Sequence, residues 1–355
     1  MKIVVTGATG NVGTALLRSL DPGTEPVGIA RRVPPPDRAP YSRARWIRCD
    51  IGDPAADPVL ADAFAGAAAV VHLAWAVHPH RDEPPMHRTN TVGTARVLRA
   101  AAAAGVPHLV CASSAAAYRP AARWQRVTED APLTGVPGSA YSRGKALLEA
   151  QLDTFERQAA GTRVARLRPC GIAQGDAAGE LADWLLPHWF PRAVIGRRWL
   201  PIPLWADLRL QLVHADDVAA AIALVLRQRA GGAFNLAAEP VLSARALAAT
   251  FGGRRVPGPR TLIFAAARAS WRLGLQPLHP GWLALADRAC LVDPARARRE
   301  LGWRPRHDAT AVCSELAAAM RAGRTGPSDP LAPERPHGRI GLPTHQSQDL
   351  APDDP

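Results

Sequence analysis

The sequence predicts an α/β chain built on a doubly wound parallel sheet, and three observations carry that reading. A strand, a glycine turn and a helix follow one another without interruption over residues 2–20. Short β-branched apolar runs then alternate with helix-length stretches through the first half of the chain, the rhythm of linked βαβ units. The size also fits: 355 residues at 47% hydrophobic composition suffice for one large α/β unit with an attached lobe.

Taken in order, residues 2–6 (Lys-Ile-Val-Val-Thr) have no polar interruption after Lys2 and read as a buried parallel strand. Residues 14–20 read as the helix after the turn, and residues 27–30 as a second strand. Residues 69–73 form another buried strand, and 94–104 an alanine-rich helix ended by Gly105 and Pro107. Residues 108–112 are a strand, 141–156 a long helix and 162–167 a following strand. The rhythm breaks at 172–210, which carries Trp184, Trp189, Trp205 and several prolines, and again at 241–310. From about residue 322 the chain turns to Gly, Pro, Ser, Asp and His, so 322–355 reads as a disordered tail. No internal repeat is visible.

Two motifs carry chemistry. Gly7-Ala8-Thr9-Gly10-Asn11-Val12-Gly13 lies between strand and helix, the context of a dinucleotide fingerprint. Its glycines permit a tight turn and close backbone approach, and the helix N-terminus offers free N–H groups to a pyrophosphate. Gly7, Thr9, Gly10, Asn11 and Val12 are therefore candidate cofactor contacts. The second motif is Tyr141-Ser142-Arg143-Gly144-Lys145. Of 43 Lys plus Arg only Lys2 and Lys145 are lysine. Residues i and i+4 share a helix face, so phenol and ammonium point the same way. A lysine there is expected to lower a tyrosine pKa that starts near ~10, making Tyr141 a proton donor and acceptor. About twenty residues after the glycine turn the second strand ends in Ala30-Arg31-Arg32, where an acid would otherwise meet the ribose 2′-hydroxyl. Arg31 and Arg32 suit a 2′-phosphate, which favours NADP over NAD.

Together, residues 6–13 and the Tyr-x-x-x-Lys pair resemble the extended short-chain dehydrogenase/reductase family, the NAD-dependent epimerase/dehydratase group. The resemblance covers roughly residues 1–310 and implies a Rossmann-like fold with a small, discontinuous C-terminal substrate lobe. The dinucleotide-binding domain would be 1–171 plus about 211–240, and the lobe 172–210 plus 241–310. Cys49-Asp50-Ile51 resembles the segment that contacts adenine, implicating Asp50 and Ile51. Residues 70–75 resemble the fourth-strand His-Leu-Ala segment, implicating Leu73, Ala74 and Trp75. Trp75 replaces a small residue and either closes the cofactor pocket or simply packs. Asn90 either caps a helix or holds the fourth strand to the cofactor loop. Residues 109–114 resemble the strand bearing the catalytic serine. Ser114 is preferred to Ser113 because Tyr118 follows it by four; Arg119 stands where the family usually has Gly. Arg168 and Pro169 resemble the strand end beside nicotinamide, and Lys145 would also bond the nicotinamide ribose.

These features imply an NAD(P)-dependent oxidoreductase acting on a carbonyl/alcohol pair, with Ser114, Tyr141 and Lys145 catalytic. The alternatives are a sugar-nucleotide epimerase or dehydratase with retained NAD, and a non-catalytic NADP-sensing regulator. The Tyr-Lys pair argues against the regulator. Arg209 is one position out of the family's register and lacks an acidic neighbour, which weakens a nucleotide-diphosphate substrate. The apolar stretch 184–205 would suit a less polar carbonyl compound, unless its tryptophans form the lobe's own core.

A net charge of +12 is scattered rather than gathered on one helix, so nucleic acid is not an expected partner. The expected partner is a small-molecule substrate, with a homodimer of the chain allowed. The five cysteines form no Cys-x-x-Cys pair and read as reduced, buried thiols. His78, His80 and His87 lack a ligand framework, so no metal is expected. No signal peptide or membrane-spanning segment is read, which places the protein in the cytoplasm. The apolar stretch 262–275, with Arg268 and Arg272, reads as a core-packed lobe helix or as a membrane-surface helix.

Overall fold

The computed structural model describes residues 1–77, 85–187 and 189–332. Its centre is a sheet of β1 (Lys2–Thr6), β2 (Glu25–Ala30), β3 (Arg45–Arg48), β4 (Ala69–His72), β5 (His108–Ala112), β6 (Arg163–Pro169) and β7 (Gly232–Leu236). Every neighbouring pair is parallel, in the order β7-β6-β5-β4-β1-β2-β3. The chain winds outward in both directions from β1, so the carboxyl ends of β1 and β4 open the crevice where ligands bind such sheets.

Alternation along β1 splits the core. Ile3 and Val5 face α1 (Asn11–Ser19) and, further along the chain, the helix Ala215–Gln228, through Leu16, Leu17, Val218 and Ile222. Val4 faces the other layer, where α2 (Ala56–Phe64), α3 (Thr94–Ala103) and α4 (Ala140–Gln158) contribute Leu60, Phe64, Val97, Leu148 and Leu152. Burial on both faces explains the unbroken apolar strands; each such side chain contributes ~1.5–3 kcal/mol. Strand β3 went unpredicted because its Arg-Trp-Ile-Arg sequence has charged ends and no fully buried residue. Trp46 lies on the sheet because Gly28 leaves room: a Cβ there would fall 2.6 Å from the Trp46 ring.

Two of the apolar clusters beyond the sheet involve the C-terminal half of the chain. One joins Ala178 and Ala182 of α5 (Ala178–Leu185) to Leu242 and to Val312 and Leu316 of the helix Ala309–Arg321. The other gathers Trp205, Leu208, Phe264 and Leu283. The stretch expected to be a core-packed lobe helix forms Arg260–Arg272 without one buried residue. Leu262, Leu273 and Leu275 are exposed, and only Ile263 and Phe264 rest on the Trp205 cluster. None of the helices among the described residues is long and apolar enough to cross a membrane.

The C-terminal expectation needs correction. Residues 322–332 pack on the body: Leu331 is fully buried, Ser328 is nearly so, and Arg324 pairs with Asp176 at 2.7 Å. A loop rich in Gly, Pro and Ser can dock when one leucine and several polar anchors hold it. Residues 333–355 lie outside the described residues, as do His78 and His80.

Candidate active site

At the crevice, Gly7 has φ +70° and a Cβ there would lie 2.6 Å from the Ala74 amide; at Gly13 it would lie 2.4 Å from the Gly7 carbonyl. These glycines let the turn close on itself and on the loop after β4. Gly10 differs: the nearest atom to its Cβ position is the Gly7 carbonyl at 3.4 Å, so its outer face is open. The first amides of α1, at Asn11 and Val12, have no intrahelical acceptor. An open glycine beside outward amides is a cradle that fits a pyrophosphate. Gln174 orients Asn11, donating to its side-chain oxygen at 2.6 Å and its carbonyl at 3.1 Å.

The β1–β4 junction is locked from below. Thr6 Oγ1 and His72 Nδ1 are 2.7 Å apart, and His72 Nε2 and Thr94 Oγ1 3.0 Å. Burial, with the nearby Lys145 charge, pushes the His72 pKa down to about 3, so it acts as a neutral hydrogen-bonding spacer. Asn90 accepts from the Ala76 amide at 2.7 Å and donates to its carbonyl at 2.9 Å. It therefore holds the loop of Leu73, Ala74 and Trp75 rather than capping a helix.

At the far end of β2, Arg31 is exposed and Arg32 pairs with Asp329 at 3.3 Å. Asp50 accepts from the Gly52 amide at 3.0 Å and from Arg88 at 2.6 Å, which shapes the loop after β3. Ile51 is buried in the core beneath, close against Gly93.

The start of α4 places the catalytic candidates. Ser139 caps it, accepting from the Ser142 amide at 3.3 Å. Ser142 Oγ donates to the Ala116 carbonyl at 2.5 Å and accepts from the Val136 amide at 2.6 Å, tying the helix to the turn after β5. Ser114 sits in that turn, and its hydroxyl comes near enough to the Tyr141 phenol to draw the phenol's pKa down. It also reaches the Pro169 carbonyl at 3.5 Å. Ser113 neighbours the Glu149 carboxylate instead. The structure thus brings Ser114, not Ser113, to Tyr141.

Tyr141 departs from the expected electrostatics. Burial pushes its phenol above the ordinary value of 10, with only the Ser114 hydroxyl acting to lower it. Lys145 is turned elsewhere: Nζ donates to the Ala112 carbonyl at 2.9 Å and lies 3.6 Å above the Trp75 ring centre, but 6.0 Å from that of Tyr141. Desolvation pushes the Lys145 pKa down to about 7. A phenol held protonated is in the right state to give up a proton. Trp75 therefore packs over the lysine and stands edge-on to Tyr141 at 6.4 Å.

Arg168, expected beside nicotinamide, lies near the end of β6. It is buried and spent on the protein: its guanidinium grips both oxygens of Glu149 at 2.8 and 3.0 Å, the Tyr118 hydroxyl at 2.9 Å and the Glu129 carbonyl at 2.7 Å. It braces the wall beside the site. Tyr118 in turn donates to Asn235 at 2.7 Å, so it is part of the same brace.

Sequence reasoning missed this network, though its signal was present. Glu149, Asp153 and Glu156 recur at helical spacing opposite Arg166 and Arg168, two residues apart on one strand face. It also missed Trp282, whose ring is 5.1 Å from Tyr141 and 6.4 Å from Trp184. Trp205, by contrast, packs with Leu208 and Phe264, and Trp189 is exposed. No group of metal-ligating side chains occurs among the described residues. All five thiols are free, and burial pushes Cys111 up to about 12.

A parallel sheet whose switch point carries a glycine cradle, with a serine and a tyrosine–lysine helix beside it, defines a dinucleotide-dependent α/β enzyme. The profile of the NAD dependent epimerase/dehydratase family matches residues 3–237, and the chain belongs to that family. A 3-diazoavenalumate denitrifying reductase from a Streptomyces species is 32% identical over 319 residues, 86% of this chain and 97% of the relative. A UDP-glucose 4-epimerase from Azospirillum brasilense is 29% identical, covering 78% of this chain and 88% of its own. A solved dTDP-glucose 4,6-dehydratase from Streptomyces venezuelae, with NAD bound, shares the fold at TM-score 0.66 and 23% identity, covering 91% and 98% of the two chains.

Proposed function

We propose that the protein is an NAD(P)-dependent oxidoreductase of the extended short-chain type, interconverting a carbonyl and an alcohol on an apolar, ring-bearing compound. The observation that carries this reading is the aromatic wall around the proton donor: Trp282 lies against Tyr141, Trp184 lies behind Trp282, and Trp75 stands on the other side. Arg209 supports it. Its guanidinium donates to the backbone carbonyls of Asp287 and Ala289 at 3.1 Å each and is buried, so it does not present itself to a diphosphate. The Streptomyces relative at 32% identity is also named a reductase.

A reduced nicotinamide held in the crevice would supply the hydride for the carbonyl carbon. Tyr141 Oη gives its proton to the carbonyl oxygen, and the Ser114 hydroxyl steadies both the phenol and that oxygen as charge develops. Lys145, turned to the Ala112 carbonyl and 6.0 Å from the phenol ring centre, would serve the nicotinamide ribose, and the phenolate then takes a proton back from solvent. The cradle of Gly7, Gly10, Asn11 and Val12 would hold the pyrophosphate. Arg31 and Arg32 support a 2′-phosphate, so NADP(H) is placed ahead of NAD(H), the cofactor solved with the relatives.

A second reading, a sugar-nucleotide epimerase or dehydratase with retained NAD, is favoured by the names of several relatives. One purification separates the two. Nucleotide released from the denatured protein is identified by mass spectrometry, and the native protein is assayed with NADPH or NADH against aromatic ketones and aldehydes and against nucleotide sugars. A dissociable cofactor with carbonyl-dependent oxidation supports the reductase. Tightly held NAD with nucleotide-sugar conversion overturns it.

A further inference from the structure

The segment after the helix Ala309–Arg321 bears on the cofactor site at two places. It folds on itself, with the Gly326 amide bonded to the Leu331 carbonyl at 3.1 Å and the Ala332 amide to the Ser328 carbonyl at 2.8 Å. It is anchored from beneath. Leu331 is fully buried, and Arg324 grips Asp176, which Arg18 of α1 also holds at 2.9 Å. Gly179 admits the loop closely, since a Cβ there would lie 2.9 Å from Thr325.

On this base, the nearly buried Ser328 hydroxyl donates to the Thr9 carbonyl of the glycine turn at 2.7 Å. The next residue, Asp329, pairs through its carboxylate with Arg32 at 3.3 Å. Two consecutive residues thus reach the turn that would take a pyrophosphate and the strand end that would take the adenosine ribose.

We propose that residues 324–332 are part of the dinucleotide site and that Asp329 is a specificity-determining residue. It supplies the acid that β2 lacks. This inference rests on the reading of the glycine turn as the cofactor cradle. Arg32 must leave Asp329 to grip a 2′-phosphate, and the carboxylate left beside that phosphate repels it. For NAD(H) the same carboxylate is an acceptor within the neighbourhood of the ribose hydroxyls. Asp329 therefore narrows a preference for NADP(H) that Arg31 and Arg32 alone would make wide.

The test is calorimetric titration of the full chain with NADPH and with NADH. Both Asp329 and Arg32 are more than half exposed, so Asp329→Asn and Asp329→Lys leave the core untouched. In Asp329→Asn the ratio of NADH to NADPH dissociation constants should rise by about two- to five-fold, the scale of an exposed charge pair. Asp329→Lys should move it further the same way, and both effects should shrink at high salt. A ratio unchanged in both variants, or equal weakening of both cofactors, overturns the assignment. A wild-type protein that binds neither cofactor overturns the cradle reading itself, and this inference with it.

Discussion

At the scale of single residues, the proposed chemistry depends on one phenol. Tyr141→Phe removes the transferable proton and keeps the ring that Trp75 and Trp282 contact. Turnover should fall ~10²–10⁴-fold while cofactor affinity stays as it was, because the lost contribution is general acid–base catalysis. Turnover at the wild-type rate would remove Tyr141 from the site. Lys145→Arg should also impair turnover, since a planar guanidinium cannot take the place of an ammonium held between the Ala112 carbonyl and the Trp75 face. A second residue prediction concerns Glu180, one helical turn before Trp184 on α5. Burial pushes its pKa from 4.5 up to about 7. The folded state thus favours the neutral acid, and stability is lost as the pH rises from about 4.5 through about 7. Glu180→Gln should melt above wild type at pH 8 and with it at pH 4. A difference independent of pH would show that the carboxyl is not held neutral by the fold.

At the scale of elements, what the sequence could disclose follows from where the physics is local. Strands β1, β4 and β5 are buried on both faces, so their apolar runs announce them. The start of α1 and the Tyr141–Lys145 pair were legible because a turn and an i+4 spacing are short-range patterns. Edge strand β3 was not, because half its surface is wet. The loop 324–332 was not, because one buried leucine and a few ion pairs hold it, and those partners lie far off in sequence at Thr9, Arg32 and Asp176. Composition alone reads such a stretch as free. Truncation after residue 321 is therefore expected to lower the melting temperature, as it uncovers the surface under Leu331 and leaves Asp176 with Arg18 alone. Removing only 333–355 should not reproduce the loss, since that stretch is rich in Pro, Asp, Gly and His. Identical melting of the two truncations would contradict the docking of the loop.

At the scale of the molecule, helix α4 and the sheet are joined by one buried charge network. Glu149 lies on α4 one turn beyond Lys145, and its partners explain its burial. Arg168 on β6 holds both its oxygens, Arg166 adds a third contact at 3.1 Å, and through Arg168 the network reaches Tyr118, Glu129 and, by way of Tyr118, Asn235 on β7. Burial alone would raise the Glu149 pKa, but the two arginines outweigh it and hold the carboxyl below its ordinary value of 4.5. Stability from this group is therefore complete at neutral pH. It is lost as the pH falls below 4.5 and through the lowered folded value. Glu149→Gln keeps the shape and removes the charge, leaving the buried Arg168 guanidinium without its anion while Arg166 keeps Asp153 and Glu156. Removing one partner of such a pair costs about 3–5 kcal/mol. The variant should be destabilised by about that much at pH 7, and its acid unfolding curve should be flatter than wild type because the titrating group is gone. Since the same network braces the turn that carries Ser114, turnover should fall along with stability, while NAD(P)H affinity at the glycine cradle changes less. A Glu149→Gln protein as stable as wild type at pH 7 would mean that the arginines find other partners and that the sheet and the catalytic helix are held together by apolar packing alone.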